Sequence, residues 1–182
     1  MSGTRRLTWG ALFVAIGVLL PMMFHVVNLG KMFLPMHIPV LLAGFFCGPL
    51  VGMLVGLLTP LASAVLTGMP PLMPPVAQMM VFELGIYGLL TGFLYQRLRL
   101  GVYPALVAAM VAGRLVYGLL GYLILPLFGL QRIPLLYPVS YGLLSSLPGI
   151  ILQLVLIPGV VFLVERNAAV LVTGKKATRV HA

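Results

Sequence analysis

Long apolar runs, each bounded by glycine, proline or a charged residue, alternate with short connections along almost the whole chain. Taking about 20 residues as the length of a bilayer-crossing helix, the pattern predicts six helices, at roughly 8–29, 35–47, 49–67, 76–96, 103–128 and 139–165, and a polar tail over 166–182. The second, within PMHIPVLLAGFFCG, is short and passes almost without a break into the third. Between the third and fourth lies LTGMPPLMPP, residues 66–75, where four prolines fall within six residues, among methionines and without charge. Proline lacks an N–H, fixes φ and pushes its predecessor toward extended backbone. Pro70, Pro71, Pro74 and Pro75 therefore predict a stiff, non-helical connection.

Composition turns these helices into membrane spans. The chain is 62% hydrophobic and 7% charged, whereas soluble domains carry about 25% charged residues. The expected fold class is an all-α membrane protein, a single six-helix transmembrane domain over residues 1–182 with almost no room for a soluble unit. The start, MSGTRRLTWGALFVAIGVLLP, has the basic and apolar regions of a leader, but the run continues past Pro21 without an A-x-A site and is read as a span. A net charge of +9 would fit nucleic acid if the basic residues formed one patch; they sit instead in short groups between apolar runs, so no nucleic-acid partner is expected. With the N-terminus inside, Arg5, Arg6, Arg97, Arg99, Arg166, Lys175, Lys176 and Arg179 are cytoplasmic, and only Lys31 and Arg132 lie outside. This positive-inside bias predicts N-in and C-in topology and puts the proline connection on the outer face.

Small residues predict close packing. Gly44, Gly48, Gly52 and Gly56 recur every four residues, Gly88 and Gly92 repeat the spacing, and internal helix contact explains both sets. Ala11 and Ala15 form a further pair in the first helix, for which internal packing and a partner surface are both open.

Ionisable groups at membrane depth are costly and call for a partner or a function. Glu83 and Arg114 fall at similar depth near the middle of the fourth and fifth helices, at about 1.5 Å per residue. They either pair and join two helices, or at least one of them meets a solute. Gln78 lies a turn above Glu83. Tyr117, Tyr122, Tyr137, Ser140, Tyr141, Ser145 and Ser146 occupy the outer halves of the fifth and sixth helices, with Gln153 deeper. Tyr122 and Tyr137 also suit an interfacial aromatic belt. His25, Asn28, Lys31 and His37 surround the first outer connection. Together these groups predict a site that opens outward.

Absences narrow the chemistry. There is no aspartate, no H-E-x-x-H or similar metal spacing, and no phosphate-binding G-x-x-x-x-G-K-[ST] loop. The one cysteine, Cys47, cannot form an intrachain disulfide. No catalytic residues, metal or cofactor are expected, and the remaining classes are a solute-binding subunit, a secondary transporter and a channel. Neither an internal repeat nor a filter element is evident.

The stretch MHIPVLLAGFFCGPLVGMLVGLLTPLASAVLTGMPP, followed by MMVFELGIYGLLTGFLYQRL, resembles the S components of energy-coupling factor (ECF) transporters, and the likeness covers roughly residues 8–165. It implies a multi-pass protein of the prokaryotic plasma membrane that binds a vitamin or related small molecule. It also implies partners, a transmembrane scaffold subunit and two ATPases that supply ATP hydrolysis. The family's AxxxA docking motif fits Ala11 and Ala15. The family's outer loops cover the bound solute, which makes Met69, Pro70, Pro71 and Met73 a lid. The candidate solute ligands are Glu83, Gln78, Arg114, Tyr117, Tyr141, Ser145, Ser146 and His37. Glu83 suits the ring N–H or amino group of vitamin B6 compounds or hydroxymethylpyrimidine, with tyrosines stacking on the ring. Pantothenate is the alternative, its carboxylate directed at Arg114, Lys31 or His37. If Glu83 and Arg114 cancel, a neutral solute fits.

Overall fold

The computed structural model describes residues 3–26, 33–71, 76–131 and 146–180, and every regular element among them is helical. In chain order these are α1 (Gly3–Val26), α2 (His37–Cys47), α3 (Pro49–Thr67), α4 (Val76–Gly92), α5 (Val102–Ile124) and α6 (Leu147–Val180). Five of them contain stretches long and apolar enough to cross a membrane, and α2 is a shorter apolar helix.

Helix ends depart from the sequence expectation where polarity and backbone chemistry disagree. α4 closes in a π-helical turn, Phe93–Arg97, in which Leu98 N–H reaches Phe93 O at 3.1 Å. α5 tightens into a 3-10 turn, Leu125–Phe128, at Pro126, which cannot donate an α-helical bond, and ends on Gly129 at φ 70°. The tail expected from residue 166 onward is helical as far as Val180. Charge at Glu165 and Arg166 ends the apolar stripe, but no proline follows and the next residues are adequate helix formers, so the helix continues.

The core gathers around α2 and α4. Nearly every residue of α2 is buried, and it packs against α1, α3 and α4 and touches α6. α4 is enclosed by α2, α3 and α5. The outward faces carry large apolar side chains, among them Leu58, Val65 and Leu66 on α3, as a chain solvated by lipid requires.

The glycine spacing acts as expected, by bringing backbones together. A Cβ at Gly52 would collide with Gly88 O, one at Gly88 with Gly52 O, and one at Gly56 with Leu84 O, so α3 and α4 touch main chain to main chain. Gly44 faces Thr91 and Gly88 in the same way. Gly48, at φ 92°, turns the chain between α2 and α3 in a conformation that L side chains rarely adopt.

Candidate solute-binding site

Glu83, about two turns into α4, is 1% exposed. Its Oε1 receives two contacts: the Tyr87 hydroxyl donates to it at 2.9 Å from the next turn of the same helix, and Arg114 Nη1 of α5 lies 3.2 Å away. Arg114 Nη2 also donates to Ser146 Oγ, just before α6, at 3.5 Å. Of the two alternatives that depth left open, the pairing of Glu83 with Arg114 is present, and it ties three elements together.

Arg114 is turned toward a cavity of about 150 Å³ between α2, α4, α5 and α6. Its walls include His37, Tyr87, Met110, Arg114, Gln153 and Leu154, while Glu83 is behind the wall rather than in it. His37 opens α2, where its N–H caps back onto Leu34 O at 3.1 Å. Leu34 holds φ at 49°, unusual for a residue with a side chain. The His37 ring stands 5.3 Å from that of Tyr87, tilted by 54°. Among the described residues neither His37 ring nitrogen has a hydrogen-bond partner, nor does Gln153 Nε2, and both residues are almost fully buried. Nitrogen donors or acceptors left bare inside a protein are expensive. At the cavity wall, they are groups that a ligand could satisfy.

Leu34 and His37 also border a second cavity, of about 280 Å³. Met36, Met69, Pro70, Pro71 and Met80 are among its other walls, so the described part of the proline connection sits over the same end of the bundle. That connection is fastened to α3. Gly68 ends the helix in the left-handed region, Ser63 Oγ donates to Met69 O at 2.7 Å, and Met69 N–H donates to Thr67 Oγ1 at 3.2 Å.

Of the residues singled out from sequence, His37, Arg114 and Ser146 meet at or beside the first cavity, with Glu83 behind it. Gln78 is half-buried in the first turn of α4 and Tyr117 half-buried a turn beyond Arg114; neither is part of the cavity wall. Tyr141, Ser145 and Met73, with Asn28, Lys31, Tyr137 and Ser140, lie outside the described residues. Tyr87 was not among the expected site residues, although its position four after Glu83 puts both on one helix face. Gln153 had been noted for its depth but not assigned to the site.

Ala11 and Ala15 are both exposed on the outer face of α1, whereas Gly10 and Gly17 of the same helix meet Val51 and Thr59 of α3. The alanines thus face away from the bundle. At the opposite end from the cavities, Gln96 Nε2 donates to Phe45 O at 2.6 Å, and the Tyr95 hydroxyl donates to Glu165.

The family model described as ECF transporter, substrate-specific component, matches residues 5–165. No curated protein and no solved structure matches the chain.

Proposed function

The chain belongs to the substrate-specific components of ECF transporters, and from that premise we propose that it is the high-affinity binding subunit of an importer for a compact vitamin or vitamin precursor, of vitamin B6 or hydroxymethylpyrimidine type. Membership makes it a multi-pass membrane protein that recognises a small molecule and works with the ECF module. The choice of solute rests on one observation: the cavity between α2, α4, α5 and α6 combines two aromatic rings, Tyr87 and His37, with apolar walls and the unpartnered nitrogens of His37 and Gln153. Apolar walls with a few convergent polar groups are the usual character of a small-molecule site. A flat heteroaromatic ring uses the walls, and its hydroxyl and ring-nitrogen groups use the nitrogens.

In this reading the connection carrying Met69, Pro70, Pro71 and Met73 is the lid. Prolines restrict its conformations before closure, and methionines adapt to the ligand surface. The site faces outward in the N-in, C-in topology. The scaffold subunit docks on Ala11 and Ala15, and partner ATPases supply the energy. Pantothenate is the second reading, favoured by the fact that Arg114, rather than Glu83, lines the cavity.

The test begins with native mass spectrometry of the purified protein for a retained small molecule, followed by thermal-shift measurements with vitamins and precursors. Retention or stabilisation by a B6 compound or hydroxymethylpyrimidine is expected, and transport into proteoliposomes should require the ECF module and ATP. Ion-driven transport by the chain alone would instead make it a secondary transporter, and the absence of any small-molecule binding would remove the proposal.

A further inference from the structure

The charge around the first cavity is arranged in an unusual order. The cationic group, Arg114, is in the wall, and its counter-ion, Glu83, is one layer behind it at 3.2 Å. No Asp or Glu is among the residues lining the cavity. A solute entering from the lid side therefore meets donors first: the guanidinium N–H groups not used by Glu83 and Ser146, the Gln153 amide and one nitrogen of His37. The donors ask for an acceptor. The electrostatics ask for something further, because the cation they include is already neutralised. An anionic solute would leave two negative charges around one positive charge in a cavity with mostly apolar walls, and a cation would face Arg114 directly. Both are unfavourable where the effective dielectric is low.

We propose that this site selects an electrically neutral solute that presents a carbonyl, phenolic or ring-nitrogen acceptor to Arg114 and Gln153, and that Glu83 sets this preference from behind the wall as the internal counter-ion of Arg114. Glu83 is thus a positioning and specificity-determining residue that does not itself touch the solute. His37, with one donor and one acceptor nitrogen in its neutral form, takes a hydroxyl on the same solute, since a hydroxyl satisfies either sense. The Tyr87 hydroxyl, committed to Glu83, keeps the carboxylate oriented toward Arg114. This inference rests on the solute-binding reading above and adds the charge of the solute and the role of Glu83 to it.

The two roles open to Glu83 predict opposite signs. If Glu83 accepted a hydrogen bond from the solute, Glu83→Gln would weaken binding of every ligand. As a counter-ion it would instead shift selectivity, because its loss leaves Arg114 uncompensated and ready for an anion. The experiment measures affinities of matched solutes that differ in charge: pyridoxine, 4-pyridoxate and pyridoxamine as one set, pantothenol and pantothenate as another. Wild type, Glu83→Gln and the double variant Glu83→Gln with Arg114→Gln are compared in detergent, and an unliganded melting curve for each establishes that it is folded.

The expected result is that wild type binds the neutral member of a set most tightly and that Glu83→Gln moves the anion-to-neutral affinity ratio toward the anion by about tenfold or more. The double variant, with neither charge, should lose that shift and bind the neutral member more weakly than wild type does. A wild-type preference for the anion or the cation would overturn the inference, as would an unchanged ratio in folded Glu83→Gln. If wild type binds no member of either set, the solute retained on purification decides. A neutral one whose binding falls in Arg114→Gln supports the inference, and a charged one overturns it. If nothing binds and nothing is retained, the solute-binding reading itself fails and this inference falls with it.

Discussion

At the scale of single residues, the hydroxyl of Tyr87 has the most consequence for the least visible signal. It donates to a carboxylate whose other close contact is Arg114 at 3.2 Å, with His37 Nε2 at 4.0 Å, beyond hydrogen-bonding reach. A hydrogen bond to a buried charged group contributes about 1.5–3 kcal/mol. Tyr87→Phe keeps the ring that walls the cavity and removes only that donor. It should lower stability in detergent by roughly that amount, read as a drop in the midpoint of thermal or denaturant unfolding. Unchanged stability would mean that Arg114 alone satisfies Glu83. The shared depth of Glu83 and Arg114 was legible in the sequence because ionisable residues stand out in apolar helices, but depth alone left pairing and solute contact both open. Tyr87 was not, because a tyrosine in an apolar helix suits an interfacial belt equally well until a partner one turn away is considered. The bare nitrogens of His37 and Gln153 could not be read at all, since being unpartnered is a property of the folded surroundings.

At the scale of elements, the junction between α3 and the proline connection is where the proposed lid is fastened. α3 ends on Gly68 in the left-handed region, and its last turns supply Ser63 and Thr67, whose hydroxyls hold both the carbonyl and the N–H of Met69. Met69, the first residue of the proposed lid, is therefore hydrogen-bonded to α3, and the prolines after it have few conformations to explore. Replacing Ser63 with Ala and Thr67 with Val removes these bonds without disturbing the helix much. The double variant should release bound solute several-fold faster at nearly unchanged melting temperature, because the loss falls on the lid and not on the core. Stopped-flow release of the bound solute provides the check, and an unchanged rate would separate the connection from gating. The run of prolines announced a break in the helices, and the glycine periods announced the contact between α3 and α4. α6 runs on into the polar tail, as far as Val180, because charge marks where a helix leaves the bilayer, while backbone chemistry marks where it stops.

At the scale of the whole molecule, α1 carries the proposed docking face, which is separate from the cavities. Its Gly10 and Gly17 seat it on α3, so that the rest of its surface, with Ala11 and Ala15, is presented to lipid or to another protein. The two cavities lie among α2, the proline connection, α4, α5 and α6, and Pro21 is the contribution of α1 to the second of them. Docking and binding should consequently be separable. Changing Ala11 and Ala15 to Leu adds bulk on an exposed face, where it meets no neighbour within the bundle. The variant should fold, bind solute with wild-type affinity, and fail to co-purify with the scaffold subunit or to support ATP-dependent uptake in proteoliposomes that contain the complete module. Small residues matter on such a face because helix association in lipid relies on close van der Waals approach rather than on a hydrophobic drive, so two added isobutyl groups hold a partner helix off by more than a contact distance. If the variant took up solute at the wild-type rate, α1 would be a passive face and the partner would have to engage another surface. If it lost binding together with uptake, α1 would be coupled to the cavity through α3, and the separation of docking from binding would fail.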